Sequence, residues 1–117
     1  MKYMLLVCWD AERMDGRVEP DPSDSPEEPE SFPWLDDVQE RGIWVTGDQL
    51  APPRRARSVR VRDGKTLVTD GPFVATKEAL GGFDIIECGS LDEAVEIAAG
   101  HPLAEIGTIE VRPFWGN

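Results

Sequence analysis

The chain is short and strongly acidic, with 117 residues, of which 23 are acidic and 12 basic, and a formal net charge of -11. A chain of this length has room for one hydrophobic core, which predicts a single domain over residues 1–117. The negative charge repels phosphate backbones and anionic headgroups, so neither nucleic acid nor a membrane is an expected partner.

The first half of the chain predicts two strands and one helix. Tyr3 to Trp9 is an apolar run that is too brief for a signal peptide or a membrane span, so we expect a buried first strand in a cytoplasmic protein. From Asp10 to Pro33, five prolines among many acidic residues predict a loop or a broken helix. Ser31 to Arg41 then predicts a short helix, and Ile43 to Leu50 a second strand.

The second half predicts a hairpin, a strand, a helix and a last strand. Val59 to Thr69 has strand character on both sides of an Asp-Gly pair, the dipeptide favoured in type I′ turns. Leu80 to Cys88 predicts another strand. Ser90 to Glu93 has the S-x-x-E pattern of a capping box, which predicts a helix that ends near Gly100. Gly107 to Pro113 predicts the last strand.

This order of elements predicts an α+β fold. Without the hairpin, which we interpret as an insertion, the order is βαββαβ, the pattern of ferredoxin-like antiparallel sheets. Right-handed crossovers place both helices of that fold on one face of the sheet. The other face is then open, and apolar residues in the strands favour its burial against a second copy, so we expect a homodimer.

Several sequence blocks resemble one known family. The DGPF sequence at Asp70 to Phe73 is followed by Thr76-Lys77-Glu78 and by Leu80-Gly81-Gly82-Phe83, and together they resemble the signature of the DGPF branch of the YCII-related proteins. The resemblance implies a ferredoxin-like homodimer of the dimeric α/β-barrel type, with a pocket near the subunit contact. The chain departs from the family pattern between Met14 and Pro33, where relatives commonly have a longer, alanine-rich first helix.

Two functions follow from this resemblance as hypotheses. YCII-like relatives imply a protein that binds an unknown small molecule and performs weak acid–base chemistry with a histidine and an aspartate. DGPF proteins are often encoded beside, or fused to, extracytoplasmic-function sigma factors. This association implies instead a noncatalytic regulatory or partner-binding protein. Neither hypothesis needs a cofactor or a metal, and the sequence has no P-loop, GxGxxG, GxSxG, HExxH or CxxC motif that would predict one.

Asp70 and His101 are the candidate catalytic residues. A carboxylate beside a histidine orients the ring and stabilises its charged form, and the ordinary histidine pKa lies near 6.5, so such a pair can transfer protons. Each residue also has a structural interpretation. Asp70 precedes Gly71-Pro72 and can initiate a turn, whereas His101 follows a helix and can interact with its last carbonyls.

Four further residues are candidate ligand contacts. In a βαββαβ sheet, the end of the first strand, the start of the third core strand and the end of the second helix meet at one edge. The residues predicted to line a pocket at this edge are Trp9, Asp10, Phe73 and Lys77. The alternatives are a core position for Trp9 and a surface ion pair between Lys77 and Glu78.

Overall fold

A computed structural model describes residues 1–12, 33–73 and 76–116. Within them, a four-stranded antiparallel sheet carries two α-helices, and a hairpin forms a separate two-stranded sheet. No helix of the described residues is long and apolar enough to cross a membrane. The strands are β1 (Lys2–Asp10), β2 (Trp44–Gln49), β3 (Arg57–Arg62), β4 (Lys65–Asp70), β5 (Glu78–Glu87) and β6 (Thr108–Pro113), and the helices are α1 (Pro33–Glu40) and α2 (Leu91–Ala99).

The larger sheet has the strand order β2-β5-β1-β6, in which every neighbouring pair is antiparallel. The two strands at its centre are therefore the first strand of the chain and the strand that follows the DGPF sequence. This order is compatible with the ferredoxin-like fold that the βαββαβ pattern predicts. The predicted α+β class is confirmed.

The core lies on one face of this sheet. Side chains of β1 alternate between buried and half-buried, so that Tyr3, Leu5, Val7 and Trp9 share the buried face. Val38 of α1 packs with Tyr3 and Leu5, and so do buried residues of α2. Both helices therefore cover the same face, as right-handed crossovers require.

Local capping chemistry explains where α2 begins. The Ser90 hydroxyl accepts a hydrogen bond from the Glu93 amide at 3.1 Å, and the Glu93 carboxylate accepts one from the Gly89 amide at 2.9 Å. The predicted capping box therefore forms, with the second bond made to Gly89, one residue before the cap. The helix ends at Gly100, which keeps right-handed helical backbone angles.

The chain leaves α1 through Gly42, whose backbone conformation favours glycine over other residues. Gly42 has φ of +69°, a left-handed conformation that side chains disfavour, and its amide donates to the Gln39 carbonyl at 3.0 Å. Ser31, where the sequence predicts that this helix begins, lies with the rest of residues 13–32 outside the described residues.

The hairpin turns where the sequence predicts. Asp63 and Gly64 both have positive φ, 52° and 74°, as a type I′ turn demands of its two central residues. Every residue of β4 is exposed, and in β3 only Ser58 is half-buried. The hairpin thus contributes little to the core.

Candidate functional site

A cavity of about 370 Å³ lies where β1 ends and β5 begins. The two strands are in register there, with Asp10 opposite Glu78, and the amide of Ala11 donates to the Lys77 carbonyl at 2.9 Å. The cavity is lined by Trp9, Asp10, Lys77, Glu78 and Ile106. Three of the four predicted ligand contacts, Trp9, Asp10 and Lys77, therefore line one cavity.

Charged residues of both signs line this cavity. They are Asp10 of β1, Glu78 of β5, and Lys77, which directly precedes β5. An Asp10 carboxylate oxygen accepts a hydrogen bond from the Glu12 amide at 2.9 Å. A Glu78 carboxylate oxygen accepts one from the Thr108 hydroxyl at 2.8 Å, which links the cavity wall to β6. These bonds hold two carboxylates in a lining that also includes Lys77, so the cavity wall has groups that can contact a cation and an anion.

Trp9 and Ile106 are the two apolar residues of the wall. Only 7% of Trp9 is exposed, and the backbone of Gly107 packs directly against it. A methyl group at position 107 would lie 2.9 Å from the Trp9 Cβ atom and would overlap the Cys8 carbonyl oxygen. The absence of a side chain at Gly107 therefore allows Trp9 to occupy its place.

Phe73 lies apart from the cavity lining. Its ring is 71% exposed, and the Arg60 guanidinium of β3 lies over it, 4.6 Å from the ring centroid. This is a cation–π contact with the hairpin. The structure therefore places Phe73 with the hairpin rather than among the residues that line the cavity.

His101 has a different carboxylate neighbour from the one that the sequence suggests. Its Nε2 atom lies 3.9 Å from an Asp84 carboxylate oxygen, and both side chains are largely buried, with 13% and 14% exposed. The other Asp84 oxygen accepts a hydrogen bond from the Trp44 indole at 3.0 Å. The His101 ring also packs edge-on against Trp34, with centroids 4.7 Å apart.

Asp70 belongs to the hairpin instead. Its carboxylate forms an ion pair with the Arg57 guanidinium at 3.1 Å, across the β3–β4 ladder, and its side chain is 86% exposed. Among the ion pairs of residues 1–12, 33–73 and 76–116, Asp70 and His101 thus have separate partners. The structure does not show them as a pair.

The hydrogen bonding of His101 fixes the position of its proton. The Leu103 amide donates to Nδ1 at 3.0 Å, so Nδ1 is an acceptor and the neutral ring carries its hydrogen on Nε2, beside Asp84. Burial lowers the pKa of His101, and the charge of Asp84 opposes that effect. Burial raises the pKa of Asp84, against the Trp44 hydrogen bond and the charge of His101. Both residues are therefore biased towards their neutral forms.

Sequence reasoning missed Asp84, Glu78 and Ile106. A signal for Asp84 was present, because it stands in an apolar strand on the same alternating face as Ile86. A carboxylate on a buried face needs a polar partner, which Trp44 supplies. Gly47 leaves room for the Asp84 side chain, because a methyl group at position 47 would overlap an Asp84 carboxylate oxygen.

We expect the pKa of His101 to lie below its ordinary value of 6.5 and to fall further in Asp84→Asn, which removes the charge that opposes the effect of burial. Asp70→Asn should leave it unchanged. The pKa of His101 is lower in the folded chain than in the unfolded chain, so the unfolded chain binds more protons as the pH falls below 6.5. The contribution of His101 should therefore lower the free energy of unfolding as the pH falls below 6.5. NMR titration measures the pKa of His101 in wild type and in each variant. An equal shift in Asp84→Asn and Asp70→Asn would contradict the pairing of His101 with Asp84.

Two comparisons relate the chain to known proteins. The chain is 46% identical over 68 residues to an uncharacterized protein of Rhizobium meliloti (strain 1021), a match that covers 56% of this chain and 55% of that protein. The chain thus matches about half the length of that relative. The family model described as the YCII-related domain matches residues 1–116. Because this match extends over nearly the whole sequence, the chain belongs to the YCII-related family.

Proposed function

We propose that this chain is a small-ligand-binding protein whose ligand occupies the cavity at the end of β1. The observation that carries the proposal is the convergence of Trp9, Asp10 and Lys77 on one cavity, together with Glu78. Its volume, about 370 Å³, is within the range of cavities that bind small molecules. Trp9 and Ile106 supply an apolar part of the lining, and three charged residues can fix the orientation of a ligand.

The charges suggest the class of ligand. Two carboxylates, Asp10 and Glu78, suit an ammonium group, and Lys77 suits a carboxylate or another anion. The indole of Trp9 suits an apolar or cationic portion. The ligand that fits this lining is a small molecule with both an amino group and an acidic group, such as a free amino acid.

A screen of free amino acids by isothermal titration calorimetry tests the proposal. We expect at least one to bind wild type, and the double variant Asp10→Asn/Glu78→Gln to bind it about tenfold or more weakly, because two charge-assisted contacts become neutral. Asp92→Asn, an exposed carboxylate on α2, is the matched control and should bind as wild type does. Equal binding by the double variant, or no binding by any amino acid, would contradict the proposal.

We place any histidine–aspartate chemistry of this chain at His101 and Asp84, rather than at Asp70, because the 3.9 Å approach is between those two. The Nδ1 atom of His101 already accepts the Leu103 amide, and Nε2 carries the proton of the neutral ring. The ring therefore has no lone pair ready to take a proton from a substrate. This favours ligand binding over general-base catalysis by His101.

We also propose a homodimer of the dimeric α/β-barrel type, formed by the sheet face opposite to the helices. Residues on this face alternate with the core residues of β1 and β5, and the inner ones are apolar and half-buried. They are Met4, Leu6, Cys8, Phe83 and Ile85. An apolar sheet face without a covering helix is buried by association in many proteins.

A regulatory role beside a sigma factor is the alternative proposal. It depends on the acidic stretch from Asp10 to Glu30 as the surface that meets a basic partner. Most of that stretch, residues 13–30, lies outside the described residues. The cavity lined by Trp9, Asp10 and Lys77 favours the ligand-binding proposal.

A further inference from the structure

The β3–β4 hairpin has the opposite charge to the rest of the chain. Three arginines and Lys65 lie between residues 57 and 70, against Asp63 and Asp70, whereas the whole chain has a net charge of -11. The hairpin is also exposed on both of its faces. A two-stranded hairpin in water is marginally stable by itself, so an exposed hairpin gains from a partner that covers it.

The register of the hairpin separates its two faces. Residues directly opposite each other point to the same side, so Arg60 shares a face with Leu67, and Arg62 with Lys65. Phe73 joins this side because the Arg60 guanidinium covers its ring. We call this set of three cations and two exposed apolar side chains the basic face.

An exposed surface of complementary composition lies on α2. Leu91 and Val95 are one helical turn apart and are 46% and 50% exposed, so together they form an apolar patch on the helix surface. Asp92 and Glu96, also one turn apart, are exposed beside them. We call these four residues the acidic face. Both the basic face and the acidic face are open in the single chain, so they do not cover each other within one molecule.

We propose that the basic face of one copy docks on the acidic face of a second copy. The proposal rests on charge complementarity, with Arg60, Arg62 and Lys65 opposite Asp92 and Glu96. In this contact the apolar pair Leu67 and Phe73 meets Leu91 and Val95, so that apolar surface is buried while the charges pair at its edges. A second copy of the chain is the natural partner, because every copy carries both the basic face and the acidic face. The contact is separate from the sheet face proposed for dimerisation and from the ligand cavity.

Carbodiimide cross-linking of the full chain tests the contact directly. The reagent joins an amine to a carboxylate only when the two groups touch, so Lys65 of one copy should be joined to Asp92 or Glu96 of the other. With equal amounts of ¹⁴N- and ¹⁵N-labelled protein, mass spectrometry should find this product as a mixed-isotope pair. Finding it only as same-isotope pairs, or finding Lys65 joined only to other carboxylates, would overturn the proposal.

Charge reversal supplies the control. Arg60→Glu/Arg62→Glu keeps Lys65 but places like charges across the contact, so the mixed-isotope product should fall about tenfold or more. Arg41→Glu reverses an exposed arginine of an ion pair beyond the end of α1 and should leave the product unchanged. We expect both variants to keep the hairpin ladder, because the backbone pairing of β3 and β4 does not depend on these side chains, and circular dichroism and hydrogen exchange can verify it. An undiminished product in Arg60→Glu/Arg62→Glu would overturn the proposal.

Discussion

We expect Gly107→Ala to lower the free energy of unfolding by about 2 kcal/mol or more, within the upper range for overpacking a rigid site. The backbone at position 107 does not have positive φ, so the alanine conformation itself is unstrained. The new methyl group would instead overlap the Cys8 carbonyl oxygen and approach the Trp9 Cβ atom to 2.9 Å. Both obstacles are parts of a central strand that cannot move alone, because β1 is paired on both sides. Urea denaturation measures the change.

Gly89→Ala is the matched control for this prediction. Its methyl group would meet only the end of the Glu93 side chain, at 3.1 Å, which can rotate away but then loses its hydrogen bond from the Gly89 amide. Its free energy of unfolding should therefore fall by about 1 kcal/mol at most, clearly less than that of Gly107→Ala. Because relief of the Gly107→Ala overlap displaces Trp9, that variant should also weaken ligand binding at the cavity. Equal stability of the two variants would contradict the packing that we describe around Trp9.

The sequence was sufficient for the local elements of the fold. Alternation in β1, the Asp63-Gly64 turn and the Ser90 cap are each determined by neighbouring residues, and each forms as predicted. The edge where β1 ends and β5 begins also followed from topology, because the first and third core strands of a βαββαβ sheet are antiparallel neighbours. For this reason the sequence alone predicts that Trp9, Asp10 and Lys77 lie together.

The partner of His101 could not be predicted in the same way. It depends on where the turn after α2 packs over the sheet, and on which face of β5 carries Asp84. The sequence offered Asp70 as the carboxylate because it begins a recognisable motif, but Asp70 ends a hairpin strand that forms its own sheet. Local motifs thus identify a turn, whereas the pairing of distant side chains depends on the packing of elements.

In about 1 M salt, which screens the charge-paired contact between the basic face and the acidic face, we expect wild type to have twice the 13.0 kDa mass of one chain in size-exclusion chromatography with light scattering, and Leu6→Lys to have the mass of one chain. Leu6 lies opposite Phe83 on the apolar sheet face, at the centre of the proposed contact. In a symmetric dimer the substitution places two ammonium groups in one apolar interface. An unpaired buried charge costs about 3 kcal/mol or more, which is enough to dissociate a micromolar complex.

Val59→Lys is the control for the sheet face, because Val59 is an equally apolar but 61% exposed residue of the hairpin and lies outside both that face and the basic face. Its mass should equal that of wild type. The folded state of Leu6→Lys can be checked by near-ultraviolet circular dichroism of its tryptophans, since Leu6 points away from the core that holds Trp9 and Leu5. A folded Leu6→Lys that still has the dimer mass would exclude this face as the interface. A wild-type mass near 13.0 kDa would exclude the dimer itself, and the half-buried apolar side chains of β1 and β5 would then face solvent.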